Sequence, residues 1–220
     1  MKRTLQVQFA SLSSLERLVT ATIVSLIAIG VWFIGEGVYI KAKAALAQVL
    51  LDDAFGRALD GEANPKPWPW ADTWPVAKVF VPRLGTSSIV LAGASGQALA
   101  FGPGHLTSTP APGERGTTVI AAHRDTHFSY LKDVKTGDAI DIVRADGNRV
   151  RYQVTGTRIT RWDHTGIDPT APGVNLALAT CWPFDTPIRG PLRYVVDARA
   201  LPEEVLVSDA EPIKTSVIAQ

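Results

Sequence analysis

Few side chains in this sequence could do covalent chemistry, and their positions are informative. The 220-residue chain holds one cysteine, Cys181, and four histidines: His105, His123, His127 and His164. A lone thiol forms no intramolecular disulfide, so it is either a small buried hydrophobe or a nucleophile. Cys181 ends the apolar run Val174-Asn-Leu-Ala-Leu-Ala-Thr-Cys181 and is followed by Trp182-Pro183. A strand that stops before a proline can deliver its last side chain into a cleft, within reach of a carbonyl carbon. Acyl transfer by a thiol needs a partner that takes up a proton and later returns one to a leaving amine. His123 suits that task, because it follows the apolar run Thr117-Thr-Val-Ile-Ala-Ala122 and also stands where a buried strand leaves the core. His127 lies one helical turn on and His105 follows Gly102-Pro103-Gly104. Both are candidates to line the site, with a surface or supporting role as the alternative.

A tetrahedral intermediate also needs a donor for its oxyanion. Arg193 opens the run Arg193-Tyr-Val-Val196 a short loop after Cys181. Its guanidinium offers a permanent charge and several donors in a fixed fork. Arg189, on the intervening loop, is the rival candidate. Thr180 is expected either to hydrogen-bond a substrate backbone or to belong to the core. The histidines lack ligand spacing with the cysteine, so no metal is expected, and nothing else implies a cofactor.

These residues need a scaffold that brings strand ends together. Val76–Val81, Ser87–Ala92, Thr117–Ala122, Ala139–Val143, Arg149–Thr155, Thr157–Arg161, Leu176–Cys181 and Arg193–Asp197 all read as short strands. Ala145-Asp146-Gly147-Asn148 supplies a hairpin turn, and one helical turn is expected near Phe128–Leu131. Such a set predicts a mainly β domain closed into a mostly antiparallel barrel or sandwich. Hydrophobic residues make up 46% of the chain, enough for a sizeable core. With 22 basic against 21 acidic residues there is no basic excess to suggest nucleic acid as a partner.

The N-terminal third differs. No charge interrupts Leu18 to Ile34, a run long enough as helix to cross a hydrocarbon core of roughly 17–25 residues. A cleaved signal peptide would have a shorter apolar segment, and a soluble helix would show a polar face. The reading is a retained membrane anchor over 18–39, after an N-terminal cytoplasmic segment at 1–17. Lys2, Arg3 and Arg17 precede it while Lys41 and Lys43 follow, a slight basic bias that favours the N-terminus inside. Apolar residues at Leu46, Val49, Leu50, Ala54 and Ala58 mark a helix face beyond the anchor. Residues 40–75 are that helix and a linker of Pro65, Pro67, Pro69 and Pro75 among Trp68, Trp70 and Trp74. The tryptophans are expected to pack this arm onto the domain. The barrel then occupies 76–200, and 201–220 is a peripheral tail.

Taken in order, Ala-His-Arg-Asp-Thr-His, Leu178-Ala-Thr-Cys181 and Pro191-Leu-Arg-Tyr-Val-Val196 resemble the three signature segments of the sortase family. Gly102-Pro-Gly-His105 and the strand start Gly137-Asp138-Ala-Ile are also similar to it. The Pro-Trp-Pro-Trp linker and Trp-Pro-Phe after the cysteine look most like sortases of Gram-negative bacteria, close to classes D and E. Ala122 departs from the glycine many relatives carry before the histidine. The resemblance implies an eight-stranded barrel and a membrane-bound cysteine transpeptidase facing the periplasm or exterior. Its substrate would be a protein with a C-terminal Leu-Pro-x-Thr-Gly-like sorting signal, and its second partner an envelope amine. Cys181 would be the nucleophile, His123 the acid and base, and Arg193 the oxyanion donor. The loop from Trp162 to Val174 would cover the substrate groove. An L,D-transpeptidase-like enzyme is the rival chemistry, although it carries a Ser-x-Gly-Cys-like element with its histidine close upstream. A non-catalytic, membrane-tethered β-barrel is the rival of another class, and papain-like enzymes place cysteine before histidine.

Overall fold

The computed structural model describes residues 13–186, 188 and 190–201. The chain divides into two units, Met1–Leu46 and Ala47–Gln220. A single helix, α1 (Ser14–Leu59), runs through the boundary, so the anchor and the helix after it are one element. In the first unit α1 opens on a reciprocal cap. The Ser13 N–H donates to the Glu16 carboxylate at 2.7 Å and the Glu16 N–H donates to the Ser13 hydroxyl at 3.4 Å. Beyond it the helix presents Leu26, Val31, Phe33 and Ile34 outward, all more than 60% exposed, a surface that hydrocarbon solvates better than water. The Thr22 hydroxyl donates back to the Leu18 carbonyl at 2.9 Å, so it needs no water partner. This helix is long and apolar enough to cross a membrane.

The second unit is a closed eight-stranded barrel. Its strands are β1 (Pro75–Val81), β2 (Thr86–Ala92), β3 (Gly104–His105), β4 (Gly116–Ala121), β5 (Ala139–Arg144), β6 (Arg149–Arg161), β7 (Val174–Cys181) and β8 (Leu192–Ala200). Their order around the barrel is β1-β2-β3-β4-β7-β8-β6-β5. Pairing is antiparallel except for β2 with β3 and β4 with β7, which run parallel. The mostly antiparallel barrel expected from the strand pattern is therefore what forms. Arg149–Thr155 and Thr157–Arg161 are one long strand rather than two. A register shift between Val154 and Gly156 absorbs the break in alternation while β8 stays paired on both sides of it. Two elements carried too little periodic signal to be read: the two-residue β3 and a short helix, α2 (Gly96–Phe101), capped by the Ser95 hydroxyl. The helical turn expected near Phe128–Leu131 is a 3-10 turn at Ser129–Asp133.

Alternation sorts the side chains. Val79, Ile120, Ile140, Ile142, Tyr152, Leu176, Leu178 and Val196 fill the interior and are fully buried or nearly so. Outside, the last turns of α1 place Leu51 and Phe55 with Ile89, Leu91 and Ala98 in a second cluster. Trp68 joins it, edge-on to Phe101 at 4.8 Å, so the arm is packed as expected, whereas Trp70 is 83% exposed. The linker tryptophans thus divide between packing and solvent.

Tyr152 ties the interior to a loop. Its ring is fully buried and its hydroxyl accepts from the Gly113 N–H at 2.7 Å, while burial pushes its pKa up to about 12. Removing that acceptor leaves a partly buried donor unpaired. Tyr152→Phe should therefore lower unfolding free energy by about 1–2 kcal/mol in urea titrations of the full chain in detergent. An unchanged midpoint would show that the bond contributes nothing.

Candidate active site

Three adjacent strands build the site. β4 and β7 run parallel from Gly116 with Val174 to Ala121 with Ala179. The ladder continues one bond further, the Ala122 N–H donating to the Ala179 carbonyl at 3.2 Å. Two residues past the last pair stand His123 and Cys181, so both chain segments arrive at the same rim. β8 runs antiparallel on the other side of β7, where Cys181 pairs directly with Arg193. Cross-strand partners share a face, so the guanidinium side chain starts beside the thiol. His123 is exposed, and Cys181 and Arg193 are half-buried.

That face is the outside of the barrel. Residues of the same parity as Cys181 are Val119 and Ala121 on β4, Ala177 and Ala179 on β7, and Val195 and Asp197 on β8. Val119, Ala177 and Val195 are buried beneath Leu106 and Ile167, with Ala179 against them. The part of this face that stays open toward the thiol is the floor formed by the half-buried Ala121 and Ala179. Ala121 and Ala179 each add only a methyl group, which keeps the floor low where an extended chain would have to lie.

Ile167 belongs to the loop between β6 and β7, the segment expected to cover a groove, and several bonds fix that loop in place. The Thr117 hydroxyl donates to the Asp168 carbonyl at 2.7 Å, and the Thr117 N–H to the Pro169 carbonyl at 3.0 Å. Arg158 bonds the Thr165 carbonyl and pairs with Asp197 at 2.7 Å. Gly116 sits under this loop at a φ of +114°, and a Cβ there would collide with the Pro169 carbonyl. Only glycine meets both demands.

The remaining candidates separate. Thr180 is 2% exposed on the interior face, and its hydroxyl donates to the Ala122 carbonyl at 2.7 Å. It ties β7 to the residue before His123, as the core alternative describes. His105 does not line the thiol's face. It pairs with Ile120, whose parity is interior, and its Nε2 bonds the Pro110 carbonyl at 3.0 Å and the Thr109 hydroxyl at 3.3 Å. His127 is half-buried just after His123. Burial holds its pKa below the ordinary histidine value; the Ala100 backbone opposes that shift and neighbouring His123 adds to it. Arg189 lies outside the described residues, as do Lys2, Arg3 and the tail beyond Leu201. In the free protein the Arg193 Nη1 donates to the Gly190 carbonyl at 3.1 Å and the Leu192 carbonyl at 2.9 Å. Among the described residues no group of three or more His, Cys, Asp or Glu side chains is placed to hold a metal.

Sequence reasoning gave no role to Arg124, a buried residue whose guanidinium reaches the loop after Cys181. An arginine beside an exposed histidine carries no pattern that announces burial.

The family model of the Sortase domain matches residues 79–201, more than half of the chain. The chain belongs to the sortase family. Sortase D of Bacillus subtilis (strain 168) is 28% identical over 117 residues, 53% of this chain and 59% of that protein, in agreement with the class D/E resemblance. The chain thus spans 59% of the length of the curated relative it matches. Among solved structures, sortase A from Corynebacterium diphtheriae aligns with a TM-score of 0.54 and 25% identity over 65% of each chain. Sortase C-1 from Actinomyces oris shares the fold at a TM-score of 0.51 and 23% identity, over 58% of this chain and 75% of its own.

The depressed His127 pKa has a consequence for stability. An unfolded histidine, with a pKa of about 6.5, takes up a proton before the folded one does. Stability therefore drops as pH falls below that value and levels off below the folded pKa. His127→Gln should remove this drop, so its melting temperature relative to the native chain should rise between pH 7 and pH 5. Parallel melting curves across that range would contradict the assignment.

Proposed function

We propose that this sortase-family chain is a membrane-anchored cysteine transpeptidase that cleaves a Leu-Pro-x-Thr-Gly-like sorting signal. It then passes the severed protein to an amine of the cell envelope. The observation that carries this reading is the register of β4, β7 and β8. It brings an imidazole, a thiol and a guanidinium from distant parts of the sequence to one rim.

The Cys181 thiol gives its proton to His123 as its sulfur attacks the threonine carbonyl carbon. A C–S bond forms and the carbonyl electrons move to oxygen. Arg193 turns its Nη1 donor from the Gly190 and Leu192 carbonyls to that oxyanion, exchanging neutral acceptors for a charged one. As the C–N bond to glycine breaks, His123 protonates the departing amine, leaving a thioester on Cys181. An incoming amine attacks the thioester, gives a proton to His123, and expels the sulfur as the new amide forms. The small, partly exposed Ala121 and Ala179 leave room for an extended peptide over the end of β7, with its scissile bond beside Cys181. The helix of the first unit serves as a single-pass anchor in the cytoplasmic membrane, with the barrel outside.

The order and spacing of the motifs disfavour the L,D-transpeptidase reading. A non-catalytic barrel gives no reason for these three side chains to share a rim.

The test is transfer of a fluorescent sorting-signal peptide to an amine by the full chain in detergent. The native protein should form both a thioacyl adduct, seen by mass spectrometry, and product, and Cys181→Ala neither. Arg193→Ala should lower kcat on the order of 100-fold or more. Product from the Cys181→Ala chain would eliminate the mechanism.

A further inference from the structure

Arg124 directly follows His123, and only 6% of it is exposed. Its Nη1 donates to the Pro183 carbonyl at 2.6 Å. Its Nη2 donates to the Thr186 carbonyl at 2.5 Å and the Ile188 carbonyl at 2.9 Å. Among the described residues the carboxylate paired with it is Asp125, which faces its Nε at 3.4 Å and is mostly in solvent. Its main partners are therefore three carbonyls of one loop, the loop that leaves Cys181 and returns at Arg193. A buried cation without acceptors is strongly unfavourable, so the guanidinium and this loop conformation hold each other in place. The planar fork serves several acceptors at once, which the compact ammonium of lysine does not.

The first residues of this loop are also held by packing, with Phe184 buried in the barrel core and edge-on to Trp182 and Tyr194, so Arg124 matters most for the stretch beyond Phe184. At its base the Trp182 N–H donates to the Leu192 carbonyl at 3.0 Å. Lys132 and Asp185 approach to 3.7 Å, with both side chains largely exposed, so that pair adds little. On the His123 side, the Ala122 carbonyl is bound by Thr180, and the His123 carbonyl accepts from the Phe128 N–H at 3.1 Å. The backbone around the histidine is thus fixed, and Arg124 extends that fixity across to the loop.

We propose that Arg124 is a positioning residue that locks the loop between Cys181 and Arg193 onto the strand end bearing His123. It sets the mutual spacing of the three reacting groups without touching substrate. The Gly190 carbonyl that receives Arg193 belongs to the same loop, so the lock reaches the oxyanion donor as well. This inference rests on the transpeptidase reading above, and its test keeps the two apart.

The full chain in detergent is compared with Arg124→Met and Arg124→Lys. Steady-state transfer of the sorting-signal peptide to an amine gives kcat and KM separately. Amide hydrogen exchange is followed over residues 182–192 and, as an internal control, over β5 and β6. In Arg124→Met, kcat should fall on the order of 10–100-fold while KM stays within about 3-fold, because misplacement affects the transition state more than ground-state binding. Exchange over 182–192 should speed up, with β5 and β6 unchanged, and Arg124→Lys should lie between. A kcat within about 2-fold of native alongside faster exchange would overturn the proposal, since the loop would be loose without effect. Lost kcat with unchanged exchange would also overturn it, because the arginine would then act by another route. If Arg124→Met does not fold, Arg124→Lys decides on the same two readouts. If the native chain transfers no peptide, the transpeptidase reading fails and exchange alone decides whether Arg124 holds the loop.

Discussion

β4 and β7 lie side by side and point the same way through six residue pairs, Gly116 with Val174 through Ala121 with Ala179. Parallel neighbours cannot be joined by a tight turn, and here the connection carries β5 and β6 before the chain returns as β7. Because the two strands run parallel, both terminate at one rim. Because the register is fixed, His123 and Cys181 stand at the same level of that rim. A slip of one residue would turn one of them into the packed interior and expose an isoleucine or leucine in exchange. The hydrophobic filling by Ile120, Leu176 and Leu178 is therefore also what aims the chemistry. Core and site are two faces of the same ladder.

Much of this was legible in the sequence, for a physical reason. Strand ends show up in sequence when an apolar run meets a polar residue or a proline, and Cys181, His123 and Arg193 all stand at such boundaries. Seven of the eight strands carry enough β-branched or alternating character to be read, and the hairpin turn at Gly147 was signalled by its composition. What escaped was either short or set by tertiary contact. The strand Gly104–His105 has no room for a period. His105 was judged by the glycines around it, whereas its fate follows from Ile120 across the ladder and the carbonyl of Pro110. Thr180 stands one residue from Cys181 yet is buried, since neighbours along a strand face opposite ways. Arg124 could not be read at all. Its acceptors lie about sixty positions downstream and are backbone carbonyls, which no side-chain pattern encodes.

The outer face is shaped by different means. Its open floor is made of the small residues Ala121 and Ala179, and the part behind them, Ala177 included, is covered by a loop tied down through Thr117, Arg158 and Gly116. Ion pairs such as Arg158 with Asp197 sit half-exposed here, so they define loop geometry more than they add stability. The interior sets where the strands end, and the pinned loop sets what can lie along them.

Barrel closure itself is uneven. Around most of the circumference neighbouring strands share four or more register pairs, but β3 joins β2 through two pairs and β4 through two. This is the thinnest stave, and transient breathing of the wall should concentrate there. The β4, β7 and β8 ladders do not depend on it, so the wall can part at β3 while the rim that bears Cys181 keeps its shape. The weakest seam and the most demanding geometry have been given to different staves of one cask.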